Sequence, residues 1–82
     1  MDFALTGTGS FGLERGTRLS LTVYDLAGRR VAVLADREFA ASTHVVRWNG
    51  CDDQGRELPS GTYFVRLTGE GVQRVMRAVL LR

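Results

Sequence analysis

Lysine is missing from this chain of 82 residues, so arginine supplies all 11 basic groups, against 9 acids and for a net charge of +2. The arginines, at 15, 18, 29, 30, 37, 47, 56, 66, 74, 77 and 82, are interleaved with acids rather than gathered in one stretch. A nucleic-acid binder concentrates its positive charge, commonly beside stacking aromatics, and +2 is a weak field, so nucleic acid is not an expected partner. Cysteine is reduced to Cys51, which excludes an internal disulfide and a cysteine-built zinc site. The lone histidine, His44, cannot form a zinc centre by itself, and no nucleophile-elbow motif accompanies it to complete a triad. No apolar run approaches the roughly 18–20 residues of a membrane-spanning helix. Met1-Asp2-Phe3 is acidic where a signal peptide is basic, and no apolar stretch follows, so no signal peptide is read in this chain.

What is present is a hydrophobic content of 44%, enough for a packed core in one domain over residues 1–82. Its dominant period is two. Arg18 to Tyr24 alternates so that Leu19, Leu21 and Val23 share one strand face. Arg30 to Ala35 follows across the turn Asp25-Leu26-Ala27-Gly28-Arg29, which predicts a hairpin. Thr43 to Trp48, Thr62 to Thr68 and Val72 to Leu81 read as further strands, and Phe3 to Thr6 as a short edge strand. Gly7 to Ser10 reads as a loop, Phe11 to Leu13 fits either state, and residues 49–61 are turn chemistry containing the only proline. No helical period is sustained: helix propensity competes only over Arg29 to Phe39, where the valines and flanking glycine favour strand, and no internal repeat stands out. Five to seven strands with turns every 8–12 residues predict an antiparallel β-sandwich of about seven strands.

The last hairpin has two possible registers. A three-residue loop pairs Val65 with Val75, whereas a loop over residues 69–72 sets Val65 against Met76 and Tyr63 against Ala78. The second is expected, because it buries Met76, Ala78 and Leu80 while leaving Arg77 in water. It also turns Val79 and Leu81 outward, where something should pack on them.

Few groups are arranged for chemistry. Asn49 to Gly55 offers oxygen ligands, but Cys51 stands at the third EF-hand position, Gln54 replaces the required glycine and no glutamate arrives at the twelfth. Asx turns are the expected role of that loop, with weak calcium binding left open and no metal site assigned. His44 and Trp48 fall on one strand face and are expected to pack. Cys51, among aspartates, is not an expected nucleophile. Gly7, Gly9 and Gly12 lack the strand-to-helix context of a phosphate loop, and no pair of carboxylates flanks a cleft. Neither an enzyme nor a cofactor is expected.

A resemblance is carried by Leu21 to Val31, by Thr43 to Gly50, by Asp52 to Arg56 with Leu58 to Leu67, and by Arg77 to Arg82. Over residues 18–82 the chain resembles the Ig-like domain first described in the flagellar hook-capping protein. It is also similar to the C-terminal sorting domains of type IX secretion cargo. The shared residues Tyr24, Asp25, Gly28, Arg29, Trp48, Gly50, Asp53, Gly55, Pro59, Gly61 and Tyr63 are expected to be folding determinants. In sorting domains a terminal strand with basic residues belongs to the export signal, which assigns Arg77, Val79, Leu81 and Arg82 to recognition. The resemblance thus implies a non-catalytic C-terminal module, outside the cytoplasm, docked by export or surface-attachment machinery, with strand-edge pairing as the physical mode. The alternative it implies is a structural assembly module like that of the hook cap, packing on copies of itself or on filament subunits.

Overall fold

A computed structural model describes residues 2–4 and 8–81, and their strands account for the alternation. In chain order these are β1 (Asp2–Ala4), β2 (Thr8–Gly12), β3 (Thr17–Tyr24), β4 (Arg30–Phe39), β5 (Thr43–Arg47), β6 (Gly61–Gly69) and β7 (Val72–Leu80). Five form one sheet in the order β1-β7-β6-β3-β4, and β2 pairs with β5 in a two-stranded ribbon. All pairings are antiparallel except β1 with β7, which is parallel.

The inward residues explain why the two layers close. Leu19, Leu21 and Val23 of β3, Tyr63, Val65 and Leu67 of β6, and Met76, Ala78 and Leu80 of β7 are all buried. Removing each large side chain of this set from water contributes about 1.5–3 kcal/mol. The ribbon supplies Phe11 and Val46, and Trp48 follows directly after β5; all three are buried in the same cluster. Phe11, Phe39 and His44 stack with ring centroids 5.0–5.5 Å apart, and the Arg37 guanidinium lies 3.8 Å above the Phe39 ring. His44 therefore packs as expected, although against Phe11 and Phe39. Its Nε2 also lies 2.7 Å from the Ala40 carbonyl, which it reaches as a donor.

The β6–β7 register pairs Val65 with Met76 and Tyr63 with Ala78, as the burial pattern requires. Several expectations are corrected. Thr8 to Ser10 is not loop: with Phe11 and Gly12 it forms β2 and pairs with β5, so glycines are used inside a strand. The expected edge strand is present at Asp2–Ala4, while Leu5 and Thr6 lie outside the described residues. β4, by contrast, runs to Phe39 as the preference for strand over residues 29–39 implies, past an irregularity opposite Leu21 and Thr22 that resets its alternation. Finally, β7 is not a free edge: β1 occupies its outer side from Arg77 to Val79. Backbone pairing of a partner onto that stretch of the terminal strand would require displacing β1.

Candidate docking face and its flanking loops

The strand alternation that fills the core also dictates what the opposite face of the five-stranded sheet displays. Arg77 of β7, Phe64 of β6, Tyr24 of β3 and Arg30 of β4 lie in one cross-strand row. The next row reads Val75, Arg66, Thr22 and Val33. Val79 falls opposite Thr62 in the row on the other side. Phe64 and Tyr24 are half-buried, whereas Val75 is 57% exposed. A shallow depression runs between Tyr24, Leu26, Phe64, Arg66 and Val75. Leu81, just past β7, is exposed, and Val79 is half-buried; Arg82 lies outside the described residues. Of the residues assigned to recognition, Arg77 and Val79 thus share the outer face of β7.

The residues expected to be structural fall around two loops. Asp25 Oδ1 accepts from the backbone N–H groups of Ala27 and Arg29, both at 2.9 Å, and Oδ2 accepts from Arg29 Nε at 3.0 Å. The Gly28 N–H donates to the Asp25 carbonyl, and the Asp25 N–H to the carbonyl of Arg29. The second loop repeats this bonding. Asp52 Oδ1 accepts from the N–H groups of Gln54 and Arg56, and Oδ2 from Arg56 Nε. The Gly55 N–H reaches the Asp52 carbonyl, and the Asp52 N–H the carbonyl of Arg56. Gly28 and Gly55 adopt φ of 82° and 80°, a left-handed backbone that a Cβ disfavours. The chain therefore contains one turn design twice, Asp-x-x-Gly-Arg at 25–29 and 52–56. No internal repeat was expected, and the signal that reveals this short one is the matched spacing of Asp, Gly and Arg.

The second loop does further structural work. The Asp53 N–H donates to the Val31 carbonyl, and Asp53 Oδ1 accepts from the Val33 N–H at 2.9 Å, so the loop covers part of the free edge of β4. Trp48 donates its indole N–H to the Cys51 carbonyl at 2.9 Å and meets Tyr63 edge-on, with ring centroids 5.3 Å apart. Tyr63 in turn donates its hydroxyl to the Pro59 carbonyl four residues upstream at 2.7 Å. Gly50 is buried at the loop's start with φ of 78°, and Gly61 opens β6. The Asn49 and Asp52 side chains make the expected Asx turns, to the N–H of Cys51 and of Gln54. Oxygens that a calcium ion would need are thus engaged by the chain itself.

Both loop carboxylates titrate below the ordinary aspartate range. For Asp25 the main cause is the Arg29 N–H, opposed by partial burial and reinforced by the Arg29 guanidinium and the Ala27 N–H. For Asp52 the Arg56 N–H leads, opposed by burial and reinforced by the Gln54 N–H and the Arg56 guanidinium. A carboxyl depressed in the fold stabilises fully above its unfolded value near ~4, and that contribution is lost as pH falls through the lower folded value. Replacing both residues, Asp25→Asn with Asp52→Asn, is expected to lower the melting temperature at neutral pH. The gap from the parent chain narrows as the solution is acidified below pH ~4. Thermal melts across this range check it, and a gap that stays constant would mean that the two charges contribute nothing.

A model of the FlgD Ig-like domain family matches residues 2–72. The chain belongs to that family. The Basal-body rod modification protein FlgD of Salmonella typhimurium (strain LT2) is 32% identical over 68 residues, covering 79% of this chain and 29% of that protein. The same protein of Salmonella typhi matches to the same extent. The chain spans about three-tenths of the length of the curated relatives it matches. Among solved structures, PorZ of Porphyromonas gingivalis, an essential bacterial surface component of the type-IX secretion system, superposes with a TM-score of 0.55 at 19% identity. That likeness covers 95% of this chain and 12% of PorZ, and is one of fold.

Proposed function

We propose that this chain is a non-catalytic, C-terminal protein-docking module of a larger exported protein, working outside the cytoplasm. Export or surface-attachment machinery reads it through the outward face of its terminal strand. The observation that carries this reading is the division of β7. Met76, Ala78 and Leu80 are 0–1% exposed and make the strand part of the core, while Arg77 and Val79 are presented on the other side and Leu81 beyond it. A partner reading that face engages side chains of a folded strand, since β1 already holds the backbone edge at residues 77–79. The non-catalytic part is supported by how the polar groups are spent. Asp25, Asp52, Asp53 and His44 all bond to the loops or strands around them. The second reading, an assembly module packing on copies of itself or on filament subunits, is favoured by the 32% identity to FlgD.

The full chain fused behind a reporter, in a bacterium carrying a type IX apparatus, is expected to bring the reporter to the cell surface. Arg77→Ala with Arg82→Ala should reduce that display severalfold while leaving the melting temperature unchanged. Undiminished display by this variant would remove the export reading. Concentration-dependent self-association of the isolated chain, read by sedimentation, would then favour assembly.

A further inference from the structure

The outer face of the five-stranded sheet joins aromatic surface to unanswered positive charge. Phe64 and Tyr24 are adjacent across β6 and β3, with Val75 and Val33 at the two ends of the next row. Arg66 stands between Val75 and Thr22, and Arg30 beside Tyr24. No described residue pairs with either guanidinium. The acids nearest the patch are already committed. Asp25 holds Arg29, Asp53 spends Oδ1 on the Val33 N–H at the patch's edge, and Asp36, one row farther along, holds Arg18 at 3.2 Å. The register sets Asp2 beside Arg77, so that arginine is left out of the count.

We infer that this face receives an acidic segment of a partner protein, whose carboxylates meet Arg66 and Arg30 while its apolar side chains cover Phe64, Tyr24 and Val75. Charge complementarity selects the occupant. Guanidinium groups bind carboxylates in paired hydrogen bonds, and aromatics with arginine are the residues on which protein interfaces concentrate their affinity. A second copy of this chain is disfavoured: two such faces brought together would oppose arginine to arginine. Glu14 and Glu70, which could answer them, line a cleft at one end of the sandwich together with Arg15 and Arg74. Nucleic acid binding draws on many neutralised phosphates, and two arginines on a chain of net charge +2 provide few. The inference rests on the docking-module reading and specifies the chemistry of the partner.

The test uses the isotopically labelled full chain, titrated with a synthetic peptide alternating Glu and Tyr, with its Gln–Tyr counterpart, and with oligothymidylate. The Glu–Tyr peptide should shift the amide resonances of Thr22, Phe64, Arg66 and Val75. It should bind about tenfold more tightly than the Gln–Tyr peptide, and weaken severalfold at ~300 mM salt. Arg66→Glu should abolish the preference, and Arg66→Gln should weaken it, each with a dispersed spectrum showing the fold intact. Arg15→Glu, at the far end, should leave it unchanged. Equal binding of the two peptides, shifts elsewhere on the chain, or a preference that survives Arg66→Glu would overturn the inference. Tighter binding of oligothymidylate at this face would overturn it in favour of nucleic acid. The reporter assay reads Arg77 and Arg82 and this titration reads Arg66. Lost export with the peptide map intact therefore removes only the export reading, and the converse removes only this inference.

Discussion

Trp48→Ala is expected to cost about 3–5 kcal/mol, the range for deleting a large buried aromatic. For a chain of this length total stability is about 4–12 kcal/mol, so the variant should be largely unfolded near 37 °C, or melt at a much lower temperature. The effect should be this large because Trp48 ties together parts that are weak alone. It is 5% exposed, meets Tyr63 of the larger sheet edge-on, and anchors the following loop through the Cys51 carbonyl. That loop covers β4 through Asp53, so losing the indole also loosens the guard on a sheet edge and invites association. Trp48→Phe keeps most of the volume and removes the donor, and should cost about 1–2 kcal/mol. Urea unfolding followed by circular dichroism measures both. A Trp48→Ala variant within about 1 kcal/mol of the parent would show that the loop and the core are held independently of this residue.

The same residues show why much of the sandwich was legible in the sequence and where legibility stopped. β6 and β7 bury one face and leave the other more open, and β3 does the same except at Thr22, which is buried on the outer face. Apolar–polar alternation therefore revealed all three, and burial alone selected the β6–β7 register. β2 was hidden because Gly9 and Gly12 carry no side chain to alternate and glycine signals a loop. The second half of β4 shows no alternation, because the charged run Asp36-Arg37-Glu38 covers an edge strand, and only valine content and a flanking glycine marked residues 29–39 as strand. The parallel pairing of β1 on β7 joins the two ends of the chain, and no local pattern encodes so distant a contact. The candidate face was half visible. Outward Val79 and Leu81 signalled a surface awaiting a partner, but the Tyr24–Phe64–Arg66 cluster exists only once three strands are set in register.

Gly69→Ala should be the most damaging single-methyl change among the described glycines, because close packing of backbone forbids it. Gly69 ends β6 opposite Leu19 of β3 and turns the chain into β7 opposite Val72. An added Cβ would collide with the Arg18 carbonyl oxygen and lie 2.7 Å from Leu19 Cδ2. The leucine is fully buried, and the carbonyl belongs to the central strand, so neither can yield cheaply. Overpacking of this kind costs about 1–3 kcal/mol, and each kcal/mol lowers the melting temperature of a small domain by about 4–8 °C. A drop of about 10–15 °C is therefore expected. Gly28→Ala is the informative contrast: its Cβ would meet nothing within 4 Å, and only the left-handed backbone, at φ of 82°, resists it. That substitution should cost about 1–2 kcal/mol and act locally on the Asp25 turn. Hydrogen exchange separates the two. Gly69→Ala should raise exchange at Leu19 and Thr68, where β3 and β6 are forced apart, whereas Gly28→Ala should raise it only around residues 25–30. Equal and local effects from both substitutions would mean that β3 and β6 can part at that end without strain, and that the hairpin there is not sealed by the close approach of Gly69 to β3.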